Sequence, residues 1–302
     1  MAAVIKADKL TKYYGEHRGI IDVDLEVNEG EAFGFLGPNG AGKTTMIRTL
    51  LDNIRPTSGT ARVFDIVTTE DPVAIHKRLG YLPGEFALYD KLTGGQTLDY
   101  FANLRGGVER SYQQKLIERL EVDPTRKFRE YSKGNKQKIG LVIALQHRPE
   151  LLLLDEPTSG LDPLIQQEFY AVIREAKEEG RSVFLSSHIL SEVEKTCDRV
   201  AIIRGGELAR VDRTEALRDL AHHQVELVFS GPVPTAEFEA LPGVSDVVAD
   251  DHILRMRVSG NITDVVRTAA KYDLADFISR EPSLEETFLA EYSKPAVEVA
   301  AR

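Results

Sequence analysis

The chain has 302 residues, with 48 Asp and Glu against 38 Lys and Arg, a net charge of −10. That acidic balance argues against broad nucleic-acid binding, which needs basic surface to displace counterions. An apolar fraction of 42 % beside 28 % charged residues excludes a disordered or fibrous chain.

The first element is a strand: Val4, Ile5, Ala7 and Leu10 alternate with Lys6, Asp8 and Lys9. A second short strand covers Asp24 to Val27, and the turn Asn28-Glu29-Gly30-Glu31 follows it. Ala32 to Leu36 is a compact apolar run before a glycine-rich loop, and Lys43 to Leu51 is helical. Residues 85–147 lack strand patterns and read as a helical insertion, which contains a helix from Gly134 to Gln146. Leu151–Leu154, Val183–Leu185 and Val200–Ile203 are short apolar runs, as central parallel strands are, with a helix from Ile165 to Glu179 between two of them. The longest apolar runs are of this few-residue kind, against the about 20 residues of a membrane span. Met1–Leu10 has no signal-peptide core. One cysteine, Cys197, excludes an internal disulfide, fits a reducing compartment and reads as a small buried apolar residue.

At roughly 150 residues per domain the length predicts two domains. The charge places the boundary near 220, because residues 221–302 hold 14 acidic side chains against 7 basic ones, half or more of the whole imbalance. The expected division is an α/β domain over 1–220 and an accessory α+β domain over 221–302. The tail orders a strand at Val225–Phe229, a helix at Thr235–Ala240, strands at Val244–Ala249 and His252–Val258, a helix at Val265–Tyr272 and an extended run at Phe277–Arg280. This β-α-β-β-α-β order is the ferredoxin-like pattern. A last helix is expected after Ser283, with Glu286 completing a capping box.

The strand-loop-helix at Ala32–Leu51 carries Gly37-Pro38-Asn39-Gly40-Ala41-Gly42-Lys43-Thr44, all four fixed positions of the P-loop, followed by Thr45. Glycines let successive amides face one phosphate chain, and the helix adds its positive end. Lys43 supplies an ammonium for the β- and γ-phosphates, and the Thr44 hydroxyl suits Mg²⁺. The apolar run Leu151–Leu154 ends in Asp155-Glu156, two carboxylates too costly to bury without a cation. Asp155 is the candidate metal-side group and Glu156 the candidate general base. ATP and Mg²⁺ are the expected ligands.

Further residues resemble the ATP-binding cassette (ABC) ATPases, over about 4–215. Tyr131-Ser132-Lys133-Gly134-Asn135-Lys136-Gln137 is similar to that family's signature, with Ser132, Gly134 and Gln137 in its Ser-x-Gly-x-x-Gln frame. Ser159-Gly160-Leu161-Asp162 resembles its D-loop, His188 its switch histidine and Tyr14 its adenine-stacking aromatic, with Tyr13 the competing position. Gly80-Tyr81-Leu82-Pro83 leads to the Q-loop, where Gly84, followed by Glu85, stands in place of the family's glutamine. Glu85 taking over that metal-side role and a plain flexible turn are both open.

The resemblance implies a P-loop NTPase fold with a mixed sheet and the helical insertion, and a head-to-tail dimer of cassettes, homodimer or heterodimer. In such a dimer Ser132, Lys133, Gly134 and Gln137 of one copy serve the ATP of the other. It also implies a separate polytopic membrane permease and a place at the cytoplasmic face of the membrane, while the charge of −10 leads to the expectation of no nucleic-acid partner. Glu281-Pro282-Ser283-Leu284-Glu285-Glu286-Thr287-Phe288-Leu289 resembles a motif that ends drug- and antibiotic-exporter ATPases, which implies a subunit whose ATP hydrolysis powers an exporter of drugs, antibiotics or lipids. The competing reading is a soluble ABC ATPase acting on ribosomes or DNA. His222-His223 lacks a third metal ligand at useful spacing and reads as solvated, and Lys133, Lys136 and Lys138 read as the polar face of the signature helix.

Overall fold

The computed structural model describes residues 2–85, 88–217, 222–259 and 261–280. Two compact units divide the chain, Met1–Asp212 and Arg213–Arg302. The chain begins with β1 (Ala3–Tyr14), β2 (His17–Asn28), β3 (Ala32–Leu36), α1 (Lys43–Leu50), β4 (Ser58–Val63), β5 (Ile66–Val67), α2 (Pro72–Arg78) and β6 (Leu79–Leu82). A helical block follows: α3 (Gly94–Leu104), α4 (Arg110–Arg119) and α5 (Lys133–Leu145), with a 3₁₀ turn at Phe128–Glu130. The unit continues through β7 (Leu151–Asp155), α6 (Pro163–Glu178), β8 (Ser182–Ser187), α7 (Leu190–Thr196), β9 (Arg199–Arg204) and β10 (Glu207–Arg213).

Two sheets result. The outer one is antiparallel, ordered β2-β1-β4-β5. The inner one is ordered β10-β9-β3-β8-β7-β6, and its strands from β9 to β6 run parallel. Every residue of β3, β7 and β8 is buried, as strands covered on both faces must be. Phe33 stacks on Phe184 with 6.1 Å between ring centroids, and Phe35 tilts onto the same ring at 5.4 Å. Residues 85–147 contribute helices and no named strand among the described residues. The helices start where side chains cap them. Asp162 accepts from the Leu164 and Ile165 amides ahead of Pro163, and Thr93 with Gln96 forms a capping box on α3. Gly180, at φ +82°, follows the end of α6.

Strand extents differ from expectation. β2 begins at His17 rather than Asp24, because bulges in its pairing with β1 break the alternation. β10 is largely exposed along its length, and β4 is exposed over Ser58–Thr60 and buries only Ala61 and Val63; pairing with neighbouring strands makes both. Cys197 is buried, and burial pushes its thiol up to about 12. Lys138 departs from the expected polar face of α5: it is buried, whereas Lys133 is exposed and the Lys136 ammonium sits over the Phe128 ring at 5.1 Å.

The second unit contains α8 (Thr214–Leu217), β11 (His222–Phe229), α9 (Thr235–Glu239), β12 (Val244–Asp250), β13 (Ile253–Ser259), α10 (Thr263–Ala269) and β14 (Leu274–Arg280). Its antiparallel sheet is ordered β12-β13-β11-β14, the ferredoxin-like arrangement. Val225, Leu227, Phe229, Phe238, Leu254, Met256, Val258 and Val265 form its own core. The expected helix from Ser283 and the motif Glu281–Leu289 lie outside the described residues. No helix among those described is long and apolar enough to cross a membrane.

Leu153, wholly buried in β7, and Val248, largely exposed in β12, give a contrast. Leu153→Ala is expected to lower unfolding stability of the first unit by about 2–5 kcal/mol, and Val248→Ala to change that of the second by less than about 0.5 kcal/mol. Urea unfolding followed by circular dichroism checks both.

Candidate active site

β3 delivers the loop Gly37–Gly42 and α1 leaves from it. Gly42, the residue capping α1, has φ +112°, and a Cβ there would lie 2.5 Å from the Gly19 carbonyl oxygen. Only glycine fits both demands. The first helical residues are Lys43, Thr44 and Thr45. The Lys43 ammonium is buried and donates to Gly37 O at 2.6 Å and Pro38 O at 3.1 Å.

β7 lies two strands from β3 and brings Asp155 and Glu156 alongside. Asp155 is buried, and two hydroxyls satisfy it: Thr44 Oγ1 donates to Oδ2 at 2.7 Å, and Ser186 Oγ donates to Oδ1. Glu156 sits at φ +49°, with its amide donating to Ser186 O at 3.1 Å. Its Oε1 lies 3.1 Å from Lys43 Nζ and its Oε2 2.7 Å from His188 Nδ1. An ionised carboxylate only accepts, so Nδ1 carries the ring proton in this contact. His188 is exposed and follows directly on β8.

A cavity of about 220 Å³ opens over these groups, lined among others by Tyr14, Asn39, Gly40, Lys43, Thr45 and Glu156. Tyr14, rather than Tyr13, faces it. The Tyr14 ring is exposed, rests against Gly19 and has its hydroxyl 3.5 Å from Thr45 Oγ1. Arg18 and Gly19 also line the cavity, and no motif in the chain marks them. Thr44 and Asp155 pair two hard oxygen donors beside a lysine, a donor set that fits a small divalent cation. Position 84 faces this pair, since a Cβ on Gly84 would be 3.3 Å from Asp155 Oδ2, whereas Glu85 is exposed.

Other sequence candidates lie elsewhere in the unit. Ser132 and Lys133 are exposed at the start of α5, and Ser132 Oγ accepts from the Asn135 amide at 3.3 Å. Gln137, expected to face a second subunit's nucleotide with them, instead turns inward. It is buried, and its side-chain amide donates to Glu156 O and Pro157 O, each at 3.1 Å. Gly134 was expected to admit a phosphate; its close neighbour here is the chain's own loop, because a Cβ would lie 2.2 Å from Gly160 O. Asp162 caps α6.

Known proteins share this chain's sequence pattern and fold. Residues 20–159 match the family model described as "ABC transporter". The bacitracin transport ATP-binding protein BcrA of Enterococcus faecalis is 33 % identical over 299 residues, covering 97 % of this chain and 96 % of that protein. The linearmycin resistance ATP-binding protein LnrL of Bacillus subtilis is 30 % identical over 302 residues, covering 95 % and 97 %. Among solved structures, an ATP-binding subunit of an ABC transporter superposes with a TM-score of 0.66 at 28 % identity, over 71 % of this chain and 92 % of that one. A dimeric ATP-binding cassette bound to ADP and Pi superposes with a TM-score of 0.64 at 23 % identity, over 70 % and 98 %, a likeness of fold alone. The chain belongs to the ABC transporter ATP-binding family.

Gly134→Ala is expected to push α5 from the Gly160 loop and lower unfolding stability by about 1–3 kcal/mol. Thermal unfolding measures it, and an unchanged transition would contradict the close approach.

Proposed function

We propose that this ABC subunit hydrolyses Mg²⁺-ATP at a site completed by a second cassette, and that hydrolysis drives a separate membrane-spanning exporter of drugs or antibiotics. The observation that carries the reading is the position of Glu156, which lines the cavity with Lys43 and Thr44 and is held between Lys43 and His188, adjacent to the Thr44–Asp155 pair.

On this reading the triphosphate lies along Gly37–Thr45 and over the N-terminal end of α1, where amides and helix dipole favour anions. Its charge is a stronger partner for Lys43 than one carboxylate is, so Lys43 moves its ammonium onto the β- and γ-phosphates and frees Glu156 Oε1. Tyr14 offers an exposed ring face to the adenine. Thr44 and Asp155 would hold Mg²⁺, which when bound offsets charge on the β- and γ-phosphates. Gly84 adds no side chain to that metal side, which supports a shell completed without the residue that the family has there. Glu156 Oε1, once freed, takes a proton from the attacking water, while His188 holds Oε2 and so orients the carboxylate.

The cavity leaves a second anion contact to be supplied. Ser132, Lys133 and Gly134 begin a helix on the surface of the same unit, and a hydroxyl at a helix start is a fit for phosphate. A second cassette, another copy or a relative, would place its own Ser132-like group over the γ-phosphate. The dimeric cassette structure of similar fold supports this arrangement. The relatives named for bacitracin transport and linearmycin resistance support export of antibiotic-like molecules. The permease would hold the subunit at the cytoplasmic face of the membrane.

Lys43→Ala is expected to lower ATP affinity or turnover at least about tenfold, because the phosphates lose their one buried ammonium. ATPase assay with nucleotide-binding titration checks it, and parental values in both would contradict the cradle. Tagged full chain is expected to co-purify from membranes with a polytopic protein; recovery with ribosomes instead would contradict the export reading.

A further inference from the structure

Glu192 has no role in the site described above, yet it is one of the few buried carboxylates among the described residues. It lies on α7, and both of its oxygens accept from buried hydroxyls. Thr158 Oγ1 donates to Oε1, and Ser187 Oγ donates to Oε2 at 2.6 Å. Thr158 is two residues beyond Glu156, and Ser187 immediately precedes His188. Glu156 and His188 meet each other at 2.7 Å. The contacts therefore close a ring: Glu156, Pro157, Thr158, Glu192, Ser187, His188 and back to Glu156.

We propose that Glu192 is a positioning residue for hydrolysis, fixing the Glu156 loop and the His188 loop in the register that lets the two side chains meet. The inference rests on the roles proposed above for Glu156 and His188.

Three further observations tie the ring to the site. The Ser187 carbonyl accepts from the Gly37 amide at 3.1 Å, so the loop that precedes His188 is pinned to the P-loop as well. The Ser187 hydroxyl accepts from the Ile189 amide at 3.0 Å, which orients it to give its proton to Glu192. α7 itself is seated tightly on β3, because a Cβ on Gly34 would lie 2.4 Å from Val193 Cγ1. A carboxylate in the first turn of α7 thus reads its position from the same strand that delivers the P-loop. Burial and the nearby Glu192 push the Tyr170 phenol up to about 12. Glu156 stands at a positive φ that its own chain does not favour, so an external clamp on the following loop is physically useful.

The two hydroxyls can accept as well as donate, so glutamine can keep both contacts while losing the charge. Leucine fills the space and keeps neither. For the purified full chain, Glu192→Leu is expected to lower kcat at least about tenfold with KM for ATP within about twofold, because the base and its partner are displaced while the phosphate cradle stays. Glu192→Gln is expected to keep kcat within about threefold of the parent. Thr158→Val, which removes one hydroxyl at constant volume, gives a second measurement if Glu192→Leu fails to fold, and is expected to lower kcat about three- to tenfold. A parental kcat in the folded leucine or valine variant, a loss that falls on KM, or a glutamine variant as slow as the leucine one would overturn the proposal. Glu156→Gln assayed alongside separates the two levels. If it turns over normally, the site reading itself fails; if it is inactive while Glu192→Leu is normal, only the positioning role fails.

Discussion

A strand buried on both faces has to end, and β7 ends in two carboxylates. The surrounding structure follows from how those charges are satisfied. Isolated in a protein interior, an ionised carboxylate costs several kcal/mol. Asp155 avoids that penalty through the Thr44 and Ser186 hydroxyls, one from the helix after the P-loop and one from β8. Glu156 avoids it through Lys43 and His188, again one from each neighbour. The acidic pair therefore ties the end of β7 to two segments far from it in sequence, beside a cavity. Removing Lys43 would leave Glu156 with its lysine-side oxygen unpaired, so structure and chemistry depend on the same ammonium.

Neutral groups add to this support. Gln137 donates to the Glu156 and Pro157 carbonyls from the helix that begins at Ser132. Gly134 packs on the Gly160 loop next to it. The start of α5 and the base-bearing loop are thus one mechanical piece. On the reading proposed, a second cassette that engages Ser132 would press on the loop that carries Glu156 of the subunit it contacts, which links closure of two cassettes to the state of both sites.

Much of this was legible in the chain, and the reasons are local. The P-loop is defined by consecutive residues, and β7 by an apolar run ending in Asp155-Glu156. The ferredoxin-like order of the second unit showed as alternating short periods. Gln137 was misplaced, although its spacing carried the answer: five residues at about 100° each put it roughly 140° around the helix from Ser132. Lys138, one position on, shares that inward side. β4 and β10 were invisible because pairing partners, not side-chain patterning, make them strands. Glu192 was invisible for a different reason. One glutamate among 48 acidic residues has no signature until the fold brings Thr158 and Ser187 to its two oxygens.

The charge of −10 belongs mainly to the second unit, so it says little about a site built from balanced pairs. The central claim concerns one of those pairs, with Glu156 as the group that activates water. It is tested most directly by the chemical fate of ATP bound to Glu156→Gln. After incubation with Mg²⁺ and ATP and rapid removal of free nucleotide, the account predicts that the variant retains intact ATP while the parent yields ADP and phosphate. Bound ADP appearing in the variant at the parental rate would contradict it.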